Sequence, residues 1–350
     1  MKVNTSVINN IAVYLFLIFF LGLSTISKAA DQKTSIFDLI NQEEIERASI
    51  EVDLDAITTD WRNEDKHRAV FSFKDAAGQA QIWNIKVQLR GKFRRLHCEG
   101  IPPLKVFFDK DDLQQAGLAK YDDLKLVNYC FQDDFVAKEL LIKEYLAYKM
   151  YNEISAASFR VKLLKITYKD SKSSRKLKQW AFFIEDTAQM RDRLEGNKYE
   201  MAREIADNPF NRTQIQQVAL FQFMIGNTDW SVVSQKNIKI LEKEGTIWAI
   251  PYDFDFSGLV NPPYATPSSH YNLTSITERI YLGPLEADIE VSIKLFLDKK
   301  AALLEIIQQN RLLRGETKKV MLDYLASFYE NLTPNYIFSR LPPEQYSQLD

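Results

Sequence analysis

Apolar and polar positions alternate through Trp83, Ile85, Val87 and Leu89, which predicts a strand with one face turned to a core. The run Val70 to Lys74 precedes it across a turn at Gly78, so the two should form a hairpin. Leu104, Val106 and Phe108 share one face of a further strand with Lys105 opposite, and Leu124 to Val127 repeats the pattern around Lys125. The period then lengthens. Ala137, Leu141, Tyr145 and Tyr148 form a stripe at helical spacing, predicting a helix over about Phe135 to Ile154. Arg160 to Tyr168 and Gln179 to Ile184 return to strand, flanking the basic run Lys169 to Lys178, which reads as a solvated hairpin loop. Beyond Asp186 the pattern is mainly helical: Gln214 to Met224 reads as a buried helix, and Leu285 to Leu332 holds at least two amphipathic ones.

This order divides the chain into a strand-rich part, residues 30–185 with one long helix, and a helical part, residues 186–350. No repeat or low-complexity linker separates them, so they should pack closely. The first 29 residues read differently. Lys2, the apolar run Ile11 to Leu23 and the small residues Ser27 and Ala29 make a secretory signal with cleavage after Ala29. An uncleaved anchor is the alternative, although the run falls short of the roughly 20 apolar residues of a span. No later segment is apolar enough to span, so the mature chain is expected to be exported, periplasmic or extracellular, without a membrane helix.

The formal charge of the 350 residues is −2, and losing Lys2 and Lys28 makes it −4. Such a balance gives no electrostatic reason to expect nucleic acid as a partner. Cys98 and Cys130 are the two cysteines, and in an oxidising compartment they are expected to pair. A loop of that length closed by a disulfide is worth about 3–4 kcal/mol. His67, His97 and His270 are scattered and give neither zinc spacing nor a catalytic triad.

Two segments concentrate the chemistry. Ile225 to Asn237 reads IGNTDWSVVSQKN, and Thr246 to Gly258 reads TIWAIPYDFDFSG. Asp229, Asn237, Asp253 and Asp255 are hard oxygen donors of the kind Mg²⁺ prefers, and a loop, strand and loop could bring them to one metal-phosphate site. Asn227 reads equally as a cap or Asx-turn residue. A carboxylate pair between Tyr252, Phe254 and Phe256 is costly to bury unpaired, so a cation or an arginine is needed there, and Arg279 is the internal candidate. A structural calcium site is the weaker reading, since no D-x-D-x-D-G spacing surrounds Asp253.

Three segments resemble the CotH family of atypical, secreted protein-kinase-like proteins: VQLRGKFRR from Val87, GNTDW from Gly226 and WAIPYDFDFSG from Trp248. The resemblance covers most of the mature chain in order. It implies an α+β, bilobal protein-kinase-like fold with a strand-rich N-lobe and a helical C-lobe. It also implies Mg²⁺ and ATP as cofactors, and a protein or small hydroxylated molecule as phosphate acceptor. Asp229 would orient the acceptor hydroxyl or take its proton; Asn237 and Asp253 would ligate the metal, with Asp255 a second carboxylate ligand. The eight positions from Asp229 to Asn237 exceed the spacing of an ordinary kinase catalytic loop, so this loop must bulge. Lys125 would contact phosphate and Glu144 would hold it, with Lys105 and Glu139 as competitors. No Gly-rich phosphate loop is present, and Arg90, in the Arg-Gly of the first segment, is the planar donor that could reach phosphate instead. Lys125 and Glu144 also read as ordinary charges on amphipathic elements. A binding or structural protein of the cell envelope, built on the same fold without turnover, is the competing function.

Overall fold

Residues Arg47 to Val52 alternate exposed and buried positions, with Ala48, Ile50 and Val52 turned inward. This strand closes the structure, a computed structural model describing residues 33–60, 62–91, 94, 98, 100–129, 133–199, 210–284 and 289–342. The expected signal segment and its cleavage site lie outside these residues, as does Cys130; Cys98 carries no free thiol.

In chain order the first elements are α1 (Ile36–Ile40), β1 (Arg47–Val52), α2 (Leu54–Thr58), β2 (His67–Lys74), β3 (Ala80–Leu89), β4 (Leu104–Phe108) and α3 (Lys110–Gln115). There follow β5 (Asp123–Val127), α4 (Asp134–Ile154), β6 (Val161–Asp170), β7 (Lys176–Ile184), α5 (Thr187–Arg193) and β8 (Asn197–Lys198). The rest comprises α6 (Arg212–Ile225), β9 (Ile238–Lys243), β10 (Thr246–Pro251), α7 (Ile289–Gln308), α8 (Gly315–Glu330) and α9 (Pro334–Phe338).

Seven strands form a closed barrel in the order β1-β2-β3-β4-β5-β7-β6. Neighbours are antiparallel except β1 and β6, which run parallel with Ser49 opposite Thr167. Closure through this long-range pair removes the open sheet edges. The inward positions, among them Phe71, Val87, Val106, Leu126, Ile166 and Phe183, fill the barrel with one apolar core. The expected bilobal, protein-kinase-like fold is overturned by this barrel. The strand-rich half is a closed mixed barrel, and among the described residues no helical lobe stands apart from it.

The second core explains why. Val127, Phe182 and Ile184 point outward from β5 and β7 and belong to the same apolar cluster as Leu141 and Tyr148 of α4, Phe221 of α6, Phe296 of α7 and Phe328 of α8. A helix read as part of the strand-rich half is thus the element on which the later helices pack. Asp133 caps α4, accepting from the backbone of Phe135 and Val136. Glu139 pins its first turns to α8: its carboxylate accepts from Arg314 at 2.9 Å and from the Thr317 hydroxyl at 2.9 Å. A small sheet, β10-β9-β8, lies beyond the barrel and carries the two chemistry-rich segments. Among the described residues no helix is long and apolar enough to cross a membrane.

Candidate functional site

Helix α6 ends at Gly226, whose left-handed backbone (φ +65°) reverses the chain. Strand β10 delivers the second segment alongside it. Gly258 N–H donates to Gly226 O at 3.0 Å and Leu259 N–H to Ile225 O at 3.0 Å, and Asn227 bridges Ser257. The contact is close enough to require glycine: a Cβ on Gly258 would sit 2.8 Å from Ile276 O and 2.6 Å from the Tyr324 hydroxyl. The two segments, with eight residues between them, are therefore stitched backbone to backbone.

Within the first segment, Asn227 makes an Asx turn, its Oδ1 accepting from Asp229 N–H at 2.9 Å. Its amide donates to Gln222 Oε1, which fixes the orientation. The long spacing to Asn237 is absorbed by a folded-back loop: Ser231 bridges Lys236, and Gln235 and Asn237 take positive φ. Asn237 Nδ2 then donates to Asp229 O at 2.7 Å and to Asp229 Oδ2 at 2.9 Å. The exposed Lys236 ammonium is ion-paired to the other carboxylate oxygen of half-buried Asp229.

The second segment continues the ladder, with Tyr252 N–H donating to Asn237 O at 3.0 Å. Asp253 follows in the left-handed region (φ +65°), uncommon for a residue with a side chain and costing on the order of 1 kcal/mol. What holds it there is visible. Its N–H donates to the Tyr148 hydroxyl at 2.8 Å, and the next residue, Phe254, is fully buried with its ring 4.7 Å from that of Tyr148. Anchored on both sides, Asp253 keeps a half-exposed carboxylate, while Asp255 turns inward.

Arg94 is the cation that the carboxylate pair required. Its Nε donates to Asp255 Oδ2 at 3.0 Å and its Nη2 to Glu144 Oε2 at 2.8 Å; Nη2 is 3.5 Å from Asp253 Oδ1, and the guanidinium lies 4.5 Å from the Tyr129 ring centre. Burial pushes Glu144 and Asp255 above the usual carboxylate range, against the pull of Arg94. Three carboxylates share one guanidinium, and of the three only Asp253 is half-exposed.

Several expected partnerships are replaced. Glu144 holds Arg94 in place of Lys125. Lys105 pairs with Asp123 at 2.8 Å, and Glu139 with Arg314, so the competing lysine and glutamate do not meet either. Arg279 is spent elsewhere, donating to Met224 O and Tyr324 O near the end of α6. Lys125, on the outer face of β5, is half-buried with its Nζ sealed from solvent and without a hydrogen-bond partner. The ammonium lies 4.7 Å from the Tyr252 ring centre and 5.4 Å from that of Phe159. Burial first, then Arg90 and Lys239, push its pKa down to about 7, with Asp253 and Asp123 pulling the other way.

No family model matches this chain, and no characterised protein matches it. The CotH resemblance thus rests on the three segments alone.

Among the described residues no three His, Cys, Asp or Glu side chains group to hold a metal. Mg²⁺ needs fewer, because it is bound by one or two carboxylates together with waters and substrate phosphates. Asp253 fits through its half-exposed carboxylate. Asn237 fits through Oδ1, since its amide protons go to Asp229. Asp255, expected as a second ligand, is committed to Arg94. Sequence reasoning passed over Arg94, although it stands in the quoted VQLRGKFRR segment; the signal was the unmet demand for a buried cation.

Proposed function

We propose that this chain is an exported Mg²⁺-dependent phosphotransferase, with ATP as donor and a protein or small hydroxylated molecule as acceptor. The observation that carries this reading is the bonded path Asp229–Asn237–Tyr252–Asp253, which joins a carboxylate able to accept a proton to one able to hold a metal. Lys125 faces the second of these as a buried, unpaired ammonium.

In this mechanism Asp253 and Asn237 would hold the metal, which would neutralise charge on the donor phosphates. Lys125 and Arg90 receive phosphate oxygens. Asp229 releases Lys236 and accepts the proton of the acceptor hydroxyl as the new O–P bond forms and the bond to the leaving diphosphate breaks. Arg94 engages Asp255 and Glu144, which would leave Asp253 as the carboxylate for the metal. A binding role without turnover is favoured by one feature, the double engagement of Asp229 by Lys236 and Asn237.

Isothermal titration with Mg²⁺ and ATP, beside a phosphoryl-transfer assay, tests the reading. Binding with transfer supports it, and binding without transfer turns the function to the second reading. Failure to bind at millimolar concentration removes the enzyme and leaves the binding or structural role.

Export carries its own expectation. Cys98 and Cys130 should form one disulfide, so reduction should add the mass of two protons to the intact chain. Quantitative alkylation of the unreduced, denatured protein would overturn the pairing.

A further inference from the structure

The inward residues of β1 and β6 fill the barrel, so their alternate residues stand on its outer face, and the register sets them in rows. Arg47 lies opposite Lys165. Two residues on, Ser49 lies opposite Thr167, which lies opposite Lys178 of β7; two further on, Glu51 lies opposite Lys169, which lies opposite Lys176. With strands about 4.8 Å apart and rows about 6.7 Å apart, five cations and one carboxylate form a grid. All are exposed apart from half-buried Lys169, and none of the six forms an ion pair among the described residues. Like charges directly opposite each other, such as Lys169 and Lys176, cost stability, so folding gives no reason for this arrangement. The tip of the same hairpin differs: there Lys172 pairs with Asp53 and Arg175 with Asp55.

Glu51 carries the grid into a cleft of about 590 Å³ on the barrel's outer face. It lies opposite Val70, which lies opposite Asn84, and both of these line the cleft with it. Beyond them Arg68 faces Lys86, a second like-charged pair without an ion pair among the described residues. Lys86 lies opposite Phe107, whose ring centre is 3.8 Å from the Lys66 ammonium. By strand order, therefore, the Glu51 carboxylate on β1 sits between cations on β6 and β7 and cations on β2 and β3.

That carboxylate among unpaired cations narrows the choice of ligand. A ligand held by charge alone is repelled by Glu51, whereas a ligand hydroxyl donates to it, and Asn84 offers both a donor and an acceptor. The fitting ligand carries acid groups and hydroxyls along one chain. A DNA backbone has acceptors without hydroxyls along its length, and a flat anionic bilayer does not enter a cleft. We propose that this face binds an acidic polysaccharide, its uronic carboxylates on Lys169, Lys176, Arg68 and Lys86 and its hydroxyls on Glu51 and Asn84. None of these residues belongs to the site around Asp229 and Asp253, so this role stands apart from phosphoryl transfer.

The experiment titrates the mature chain with a polygalacturonate hexamer by calorimetry at low and high salt. The hexamer should bind, more weakly as salt is added, and an uncharged hexose oligomer of the same length should not. Lys169→Gln combined with Lys176→Gln should weaken the hexamer about tenfold, the sum of two exposed charge contacts, while the urea midpoint stays level or rises as the repulsion is relieved. Glu51→Ala is the deciding variant. It should weaken the hexamer about fivefold through a lost hydrogen bond, whereas any binding of single-stranded DNA, resting on charge alone, should strengthen. No binding of the hexamer by the unaltered protein, or tighter hexamer binding by Glu51→Ala, overturns the proposal. So does tighter binding of single-stranded RNA, or of vesicles rich in anionic lipid, than of the hexamer.

Discussion

Replacing Arg94 by Met is expected to cost the fold about 3–5 kcal/mol near neutral pH, the loss typical of stripping one partner from a buried ion pair. The guanidinium is buried and bonds Asp255 and Glu144, so its removal leaves two carboxylates in an apolar setting. They answer by holding protons. Burial already sets Glu144 and Asp255 above the ordinary carboxylate range, and without Arg94 both move further up. A carboxylate with a folded-state pKa above its unfolded value gives stability that is full below the unfolded value, about 4, and is lost as pH rises through the folded one. The deficit should therefore be smaller at about pH 5 than at about pH 8. Urea denaturation of both proteins at the two pH values checks this, and adding Glu144→Gln to the variant should recover part of the loss. A deficit that does not change with pH would show that Arg94 acts by packing alone.

The same cluster shows where the sequence could be read and where it could not. Period-two alternation placed β4 and β5 within a residue and β3 from Trp83 to its last residue, and the stripe through Leu141 and Tyr148 placed α4 almost to its ends, because burial of one face imposes these patterns locally. β1 carries the same alternation in Ala48, Ile50 and Val52, and overlooking it concealed the barrel. Its parallel pairing with β6, more than a hundred residues on, leaves no local mark that would distinguish a closed barrel from an open sheet. Ion-pair partners are equally tertiary. The need for a cation near Asp253 and Asp255 was legible from their apolar neighbours, whereas its supply by Arg94 across 161 positions was not. Asp229 and Asn237 were legible as a pair because the loop between them closes locally.

Substitutions of Asp253 and Asp229 should fail in different ways. Asp253 presents a half-exposed carboxylate and is held in a left-handed turn by Tyr148 and Phe254, so in the proposed mechanism it is the group that would hold the metal. Asp253→Ala is expected to abolish the Mg²⁺-dependent part of nucleotide binding. Asp229 lies on the other side of Asn237, bonded to Lys236 and the Asn237 amide, where an acceptor hydroxyl can replace the lysine. Asp229→Ala should leave Mg²⁺ and ATP binding nearly intact and slow transfer by about 10² to 10⁴, or on the order of 3–5 kcal/mol of barrier. The loss should fall on kcat rather than on the ATP KM, because a group acting on the acceptor proton stabilises the transition state more than the bound donor. Calorimetry with and without Mg²⁺ and a transfer assay on both variants separate these outcomes. Equal loss of ATP binding in the two variants would mean that the segments share one structural role instead of dividing the chemistry between them.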